Sequence, residues 1–426
     1  MSGFENFLIL FSFIAEVSLL LYLEKKTWNS LSTPLIILAI PYCVILALSL
    51  AVSGHGEVAQ FNYITILIWS AGLFIFALPS FVIGYTVKRK GFEPDAGIDF
   101  KVSYYDRMPI IIEIMGWVLV LLFAYRLKSM IASSYNMIGS DDFANEFAQN
   151  GLWGHLFRFI IAINTLLVYY VDKKHWRYIV LLVLMIAICL VYQSKSWLIL
   201  PIMAGFFMRV FTGKTKLNVK FLVWILILAS SFFFITYLIA LSFAGDDIFG
   251  ENVYEYLGNH IVHYFTSGVL GLSVDLSRGF PDRIGPELVY TQFLNIFKVL
   301  GIDSDSQLLS AFNPYYFNLG FGANVDSNVR TIFGTLFLNL PIIQFVLYIL
   351  VLSTLFYLSR LIFWKGSMFN NVYTCAAYGF WCSLLFMGWF EIFFQHLATF
   401  EIPVIYMLFW CCDVLMKRKS VSVVCQ

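Results

Sequence analysis

The chain has 426 residues, of which 60% are apolar and 12% charged, and its formal net charge is +1. Soluble domains usually contain about 25% charged residues. This composition, with a mean hydropathy of +0.80, therefore excludes an ordinary water-soluble protein. The near-neutral charge gives no reason to expect a nucleic-acid partner. We expect an all-α polytopic integral membrane protein.

Eleven apolar segments come close to the ~20 residues that a helix needs to cross a bilayer. They cover approximately residues 4–23, 33–53, 61–86, 109–126, 152–171, 178–194, 197–212, 220–243, 332–359, 370–390 and 398–416. The first segment lacks the basic start and the small-residue cleavage site of a signal peptide. We therefore predict that it is a first span and not a removed leader.

The distribution of Lys and Arg residues indicates the orientation of these spans. With the N-terminus outside and the C-terminus inside, 19 of the 27 basic residues fall on the inner side. This is the bias that the positive-inside rule expects. The eight basic residues on the outer side are Arg126, Lys128, Arg158, Lys195, Arg278, Arg283, Lys298 and Arg330.

Residues 244–331 form the longest interval that no predicted span crosses. A connection of this length is usually functional or disordered, and its many Phe, Tyr, Leu and Val residues argue against disorder. Within it, Glu287–Leu300 has the pattern of an amphipathic helix, and Asn252–Leu276 favours one or two helices across the membrane surface. We predict a folded extracytoplasmic cap over a polar cavity. The cap would separate an N-terminal bundle of about eight helices (1–243) from three C-terminal helices and a short tail (332–426).

Several kinds of cofactor chemistry have no signal in the sequence. There is no P-loop, no Gly-x-Gly-x-x-Gly turn and no internal repeat, and the main inner loop, 88–108, is too short for a nucleotide-binding domain. The seven cysteines lie in apolar spans or in the C-terminal tail, which is typical of small core residues. We expect neither a cofactor nor a metal.

Five cations on the outer side are candidates for binding a phosphate or diphosphate. Ionisable groups at membrane depth are costly and usually face a cavity or a partner, and the guanidinium fork matches phosphate geometry. Arg330 is well placed for this role because it stands at the start of the ninth predicted span. The five candidates are Arg158, Lys195, Arg278, Arg283 and Arg330.

Most of these cations also have a simpler structural interpretation. Lys195 follows the tight turn between two spans and could extend to the interface from a helix end. Arg158 could form an ion pair with a membrane-embedded carboxylate such as Glu16. Arg278 and Arg283 could form salt bridges with neighbouring carboxylates of the loop.

The candidates for a general base are Asp326, His260 and His263. The two histidines are three residues apart and would share one helix face, but without a third ligand they do not make a metal site. Asp326 shortly precedes Arg330 and could orient it or act as the base. Three further ionisable residues surround the outer turn between the last two spans: Glu391, His396 and Glu401. They could line the same cavity or cap one another.

Two local segments have the form of known motifs. Gln193-Ser194-Lys195-Ser196 precedes an apolar span, and Asn328-Val329-Arg330-Thr331-Ile332-Phe333-Gly334 closes the large loop. With the layout of spans, they resemble the O-antigen (oligosaccharide repeat unit) polymerase family, which often has a small-residue turn with an arginine and an Asn-Val-x-Thr-x-x-Gly segment. The chain departs from that pattern with Lys195 in the turn and with Asn339-Leu340-Pro341, where an acidic residue and a glycine are more usual.

The resemblance implies a GT-C-like, metal-independent membrane glycosyltransferase of the bacterial inner membrane, with a periplasmic N-terminus and a cytoplasmic C-terminus. Its substrates would be oligosaccharides linked to undecaprenyl diphosphate, joined on the periplasmic face into the O-antigen of lipopolysaccharide or a similar surface polysaccharide. Cationic side chains would stabilise the departing lipid diphosphate. Membrane lipids, a chain-length regulator and a flippase of the same pathway are candidate partners.

Three other functions stay open from the sequence. An O-antigen ligase shares the layout and the lipid-linked donor. A lipid-linked oligosaccharide flippase or other transporter is a second alternative, although the odd number of spans and the lack of inverted repeats argue against it. A non-catalytic membrane scaffold is the third.

Overall fold

The computed structural model of the chain describes residues 3–89, 107–134, 143, 145–149, 151–172, 174–192, 195–216, 231, 234–235, 238, 251–279, 284–302, 309–311, 313–322, 326–365 and 371–424. Its helices are α1 (Gly3–Trp28), α2 (Pro34–Val52), α3 (Ile64–Arg89), α4 (Ile110–Ser134), α5 (Gly151–Tyr170), α6 (Trp176–Val191), α7 (Lys195–Phe211), α8 (Glu251–Arg278), α9 (Pro286–Val299), α10 (Ile332–Asn339), α11 (Ile342–Lys365), α12 (Val372–Phe386) and α13 (Ala398–Val424). Short helical turns cover Asn145–Gln149, Met387–Trp389 and Phe393–Gln395. Two short strands, β1 (Phe317–Asn318) and β2 (Asp326–Ser327), pair antiparallel, with Phe317 opposite Ser327.

Seven of the described helices are long and apolar enough to cross a membrane, namely α1 to α5, α11 and α13. Helices α6 and α7 are apolar but shorter. The chain is therefore an α-helical polytopic membrane protein, as its composition predicts. The span predicted over residues 220–243 lies almost entirely outside the described residues.

The chain divides into two compact units. Unit 1 comprises Met1–Asp99, Gly258–Lys365 and Leu384–Thr399, and unit 2 comprises Phe100–Leu257, Gly366–Ser383 and Phe400–Gln426. Within unit 1, α3 packs along both α1 and α11; within unit 2, α5 packs along α6 and α7. The division into 1–243, 244–331 and 332–426 follows the chain and stays a prediction.

A buried polar network joins α1, α3 and α11 inside unit 1. Glu24 accepts hydrogen bonds from Tyr357 Oη at 2.5 Å and from Ser80 Oγ at 2.6 Å. Ser80 Oγ in turn accepts one from Trp28 Nε1 at 2.8 Å. Because both carboxylate oxygens have partners, this network is well explained as a structural link between three apolar helices.

The ninth predicted span, residues 332–359, is broken into α10 and α11. Leu340 is extended, with φ −111° and ψ 146°, which is the conformation favoured before a proline. Pro341 follows it and has no N–H group with which to continue the helix. The prediction of one continuous span is therefore wrong at this point, and α10 is only eight residues long.

Asn339, the last residue of α10, is bonded to the backbone just before α9. Its Oδ1 accepts hydrogen bonds from the backbone N–H groups of Ile284 and Gly285, both at 3.2 Å. Its Nδ2 donates to the carbonyl oxygen of Thr335 at 2.9 Å. One side chain thus ties the C-terminal end of α10 to the N-terminal end of α9.

The helices predicted within residues 244–331 are confirmed. Asn252–Leu276 lies in the single helix α8, and Glu287–Leu300 corresponds to α9. Residues of β1 and the turn after it pack against α8 in a buried cluster of Leu270, Phe317, Leu319 and Phe321. The extracytoplasmic position of the interval stays a prediction.

Candidate functional site

Arg330 and Asp275 form a buried ion pair in unit 1. Arg330 Nε donates to Asp275 Oδ2 at 2.5 Å, and the two side chains are 2% and 4% exposed. Charged groups at this depth are tolerated only when they are paired. The pair therefore fixes α8 against the segment that leads into α10.

Three further contacts hold the Arg330 guanidinium. Nη1 donates to the carbonyl oxygens of Asn328 at 2.8 Å and Tyr315 at 3.4 Å, and Cζ lies 4.4 Å from the ring centroid of Phe317. Among the described residues, neither Arg330 Nη2 nor Asp275 Oδ1 has a hydrogen-bond partner, although both atoms are buried. A guanidinium that is held rigidly and has one free nitrogen is well suited to binding an anionic oxygen.

Two glycines of α8 allow neighbouring backbone to approach this pair. A Cβ on Gly268 would lie 2.5 Å from two carbonyl oxygens of residues 389–390, and a Cβ on Gly271 would lie 2.5 Å from the carbonyl oxygen of Val329. Positions 268, 271 and 275 recur at helical spacing, so Asp275 lies on the same face as both glycines. The two approaching segments therefore pack directly on the α8 backbone near Asp275.

Thr331 fixes the backbone immediately after Arg330. Its Oγ1 caps α10 by accepting from the Gly334 N–H at 3.1 Å, and it also accepts from Trp69 Nε1 at 2.9 Å. An N-cap of this kind contributes about 1 kcal/mol to helix stability. Thr335 Oγ1 donates to the Arg330 carbonyl oxygen at 3.3 Å. Arg330 is thus positioned by the rigid start of a helix that is itself anchored to α3.

Glu391 is a buried carboxyl within the electrostatic reach of Arg330. It is 6% exposed, and Gln395 Nε2 donates to its Oε1 at 3.0 Å and to the carbonyl oxygen of Ala311 at 2.5 Å. Burial raises the pKa of Glu391 to about 8, against the opposing effects of the Arg330 charge and the Gln395 hydrogen bond. Near neutral pH this carboxyl therefore populates both its protonated and its ionised form.

We call Arg330, Asp275, Glu391 and Gln395 the Arg330 centre. Within the described part of unit 1 it offers an unused donor, Arg330 Nη2, and two unused acceptors, Asp275 Oδ1 and Gln395 Oε1. Such a set suits a ligand that has both anionic oxygens and hydroxyl groups. In the described residues no three His, Cys, Asp or Glu side chains are grouped as metal ligands.

Among the described residues, none of the predicted general bases forms a hydrogen bond or an ion pair with Arg330. Asp326 is exposed in β2, and Asp275 is the carboxylate that orients Arg330. His260 is buried and His263 is half-buried on α8. At 1.5 Å per residue, they lie roughly 22 and 18 Å from Asp275 along the helix axis. The Arg330 centre therefore contains none of the three, and their catalytic roles stay predictions.

Of the predicted cations Lys195, Arg278 and Arg283, the structure describes the side chain of Arg278 alone. Arg278 is exposed at the end of α8 and forms no ion pair in the described part of the chain. Lys195 is the first residue of α7, but its side chain lies outside the described residues, as does the whole of Arg283. Diphosphate binding by these three residues stays a prediction.

Arg158 forms an ion pair with Glu401 inside unit 2. Arg158 Nε lies 2.9 Å from Glu401 Oε2, and His155 Nδ1 lies 2.7 Å from Oε1 of the same carboxylate. The partner is thus Glu401 and not Glu16, which accepts a hydrogen bond from Ser70. Glu401 neutralises the charge of Arg158 as Asp275 neutralises that of Arg330, and diphosphate binding by Arg158 stays a prediction.

The three ionisable residues of the last predicted outer turn are divided between the two units. Glu391 and His396 are buried in unit 1, whereas Glu401 belongs to unit 2. The His396 ring lies 5.8 Å from the ring of Phe393, and its backbone N–H donates to the Phe393 carbonyl oxygen at 3.2 Å. That all three line one cavity stays a prediction.

Comparison with known families assigns the chain to a family whose function is unknown. The chain belongs to a family of unknown function, DUF6337. The family model matches residues 56–422 and so includes the whole Arg330 centre. No curated protein and no solved structure matches the chain. The function must therefore be inferred from the geometry of the site.

Sequence reasoning did not assign Asp275 or Gln395 to the site. The sequence indicates Asp275 only as a neighbouring carboxylate for Arg278 and Arg283, and nothing local distinguishes Gln395. The spacing of Gly268 and Gly271 was an available signal, because glycines three or four apart on a helix allow close backbone approach. That signal indicates a packed face on α8, with Asp275 at its end.

Proposed function

We propose that the chain is a membrane glycosyltransferase that polymerises oligosaccharide repeat units linked to undecaprenyl diphosphate. The product would be O-antigen or a similar surface polysaccharide, made on the periplasmic face of a bacterial inner membrane. The observation that supports this best is Arg330, a buried and rigidly held cation with one free nitrogen. A transferase whose donor ends in a lipid diphosphate needs such a group within a membrane protein.

Arg330 would bind the diphosphate of the donor. Its Nη2 donates to a phosphate oxygen while Asp275 and the carbonyl oxygen of Asn328 keep the guanidinium in place. When the bond between the anomeric carbon and the phosphate oxygen breaks, its electron pair stays on the diphosphate. The positive charge of Arg330 stabilises that developing charge, and a preorganised donor in a water-poor site does so more strongly than water would.

Glu391 would be the general base for the acceptor. A sugar hydroxyl of the next lipid-linked unit attacks the anomeric carbon, and its proton passes to the Glu391 carboxylate. A pKa of about 8 is close to the pH at which the enzyme would work, and general bases are most effective there. Gln395 orients the carboxylate through its 3.0 Å hydrogen bond. Glu391 would thus have the role that the sequence predicts for Asp326, His260 or His263.

The charge distribution of the chain supports the periplasmic side for this reaction. Arg330 is among the few Lys and Arg residues that fall on the outer side when most are placed inside. Lipid-linked repeat units are also polymerised on the outer face in the family that the sequence resembles. The same orientation leaves the N-terminus in the periplasm and the C-terminus in the cytoplasm.

The test is the gel pattern of surface polysaccharide from a deletion strain that expresses the wild-type chain, Arg330→Ala, Glu391→Gln or Arg89→Ala. We expect the deletion and the first two variants to show single repeat units on the core, and the wild type to show long chains. Arg89→Ala is the matched control, because it removes an exposed arginine from the last turn of α3 in the same unit. Immunoblots must show equal protein levels.

Two outcomes would contradict the proposal. Complete loss of O-antigen in the deletion strain would favour an O-antigen ligase or a flippase, which act on the same lipid-linked molecules. The two are then separated with purified protein, by transfer to a lipid A core or by movement of the lipid-linked oligosaccharide across liposomes. Long chains in the Arg330→Ala strain would remove Arg330 from the mechanism.

A further inference from the structure

Unit 2 contains a polar cavity of about 640 Å³. It lies at the ends of three helices. Arg107 shortly precedes the start of α4, and the residues between Tyr170 and Trp176 connect the end of α5 to the start of α6. This volume is within the roughly 300–1,000 Å³ of ordinary small-molecule sites. The residues that line it are Arg107, Asp172, Lys174, His175, Trp176 and Arg177.

The helix ends place this cavity at the level of lipid headgroups. Helices α4 and α5 are each long and apolar enough to cross a membrane, and the cavity lies directly beyond the start of one and the end of the other. Trp176, the first residue of α6, is 71% exposed. Tryptophan is enriched at membrane–water interfaces, so the rim of the cavity has the composition expected at that depth.

Three cations line the cavity, against one carboxylate. The Asp172 carboxylate is already engaged by the backbone N–H groups of Lys174 at 2.9 Å and His175 at 3.0 Å, and its Oδ1 lies 2.7 Å from His175 Nδ1. Within the described residues, Arg107 and Lys174 form no ion pair. Within the part of the chain that the structure describes, both charges are therefore available to an anion.

Arg177 is oriented by a buried carboxylate beneath the cavity. Its Nε lies 3.1 Å from Glu113 Oε1, and the two side chains are 44% and 8% exposed. Because Glu113 takes the Nε side of the guanidinium, the two terminal nitrogens remain for bidentate contact with an oxyanion. The α6 N-terminus adds positive potential, as His175 makes no side-chain cap there.

We propose that this cavity binds the phosphate group of an anionic lipid headgroup. Phosphate oxygens provide acceptors for Arg107, Lys174 and the fork of Arg177, and the acyl chains lie beside the apolar helices that end there. A soluble phosphate compound would use the same contacts, but the interfacial position of the cavity favours the lipid. The site is independent of the proposed transferase reaction.

The test measures lipid retention by the purified full-length protein. Nanodiscs of phosphatidylcholine, with or without phosphatidylglycerol, are compared by native mass spectrometry and by thermal unfolding. We expect phosphatidylglycerol to be retained and to raise the melting temperature of the wild type. Removing one cation should weaken retention about fivefold, as in Lys174→Ala, and Arg107→Ala/Lys174→Ala should weaken it further. Lys174→Arg should restore it.

Lys25→Ala is the matched control, because it removes an exposed lysine from the last turn of α1 in unit 1. Equal retention by Lys174→Ala, the double variant and this control would overturn the proposal. Inorganic phosphate is tested separately in phosphatidylcholine nanodiscs. If it stabilises the wild type but not the double variant, and phosphatidylglycerol is not retained, the ligand is a soluble phosphate compound and the lipid proposal is wrong.

Discussion

Arg330 and Asp275 are 55 residues apart in sequence, yet their side chains meet at 2.5 Å in the interior of unit 1. One residue belongs to the long helix α8 and the other to the segment just before α10. Since both are almost fully buried, neither charge can be satisfied by water. The stability of unit 1 and the position of the free Nη2 therefore depend on the same contact.

Asp275→Ala should destabilise the protein strongly. Removing one partner leaves the Arg330 charge buried and uncompensated, which typically costs about 3–5 kcal/mol. The measurement is the free energy of unfolding of the purified protein in mixed micelles. Asp326→Ala is the matched control, because it removes an exposed aspartate, and such changes usually stay within about 0.5 kcal/mol. Equal losses in the two variants would show that Asp275 has no special role.

Arg330→Lys should lose activity although it keeps the charge. Lysine is a point charge without the planar fork, so it cannot reach Asp275, the carbonyl oxygen of Asn328 and a ligand together. We expect the rate of polymer formation from purified lipid-linked repeat units to fall about 10²–10³-fold, as on loss of one preorganised donor. Arg89→Lys, which changes an exposed arginine of the same unit, is the control. A rate for Arg330→Lys close to that of the wild type would mean that charge alone is sufficient.

Glu391→Gln should stabilise the protein relative to wild type more at pH 9 than at pH 5. The carboxyl has an ordinary pKa of 4.5, and burial raises the folded-state pKa to about 8. Between these values the folded state binds more protons than the unfolded state, so the free energy of unfolding falls as the pH rises. Glutamine does not titrate and avoids that loss. Melting temperatures at the two pH values test this, and a pH-independent difference would contradict it.

Three glycine-to-alanine substitutions on α8 should change the stability of the protein differently, depending on how closely other segments pack at each position. Gly268→Ala and Gly271→Ala place a Cβ 2.5 Å from backbone carbonyl oxygens, whereas Gly258→Ala meets nothing within 4 Å. The first two should lower the melting temperature and the polymerisation rate. Gly258→Ala should be neutral or stabilising by up to about 1 kcal/mol, because alanine favours helix. Thermal unfolding of the three variants side by side is the measurement, and equal effects would refute close packing at this face.

The helices of this protein could largely be predicted from local pattern, because each depends on a run of neighbouring residues. The amphipathic period of Glu287–Leu300 gave α9 to within one residue at each end. The break between α10 and α11 was also predictable, since a proline at 341 restricts Leu340 and ends a helix. A prediction from apolar length alone joins the two helices into one span, because hydropathy does not depend on whether a residue has a backbone N–H group.

The candidate site was less predictable because its contacts are tertiary. The sequence distinguishes Arg330 as a cation at the start of an apolar segment, but it indicates the nearby Asp326 as the residue that orients it. The true partner, Asp275, depends on how close α8 approaches, which in turn depends on Gly268 and Gly271. The sequence shows Glu391 as an ionisable residue at the outer turn between the last two spans, yet its raised pKa results from burial, which no local pattern reports.

Asn339 gives the eight-residue helix α10 a mechanical role. Arg330 precedes one end of this helix, and Asn339, bonded to the backbone before α9, forms the other end. Eight helical residues measure about 12 Å, too short a length to bend appreciably. Helix α10 is therefore a short rigid link, so a displacement of the amphipathic helix α9 would shift the backbone that carries Arg330.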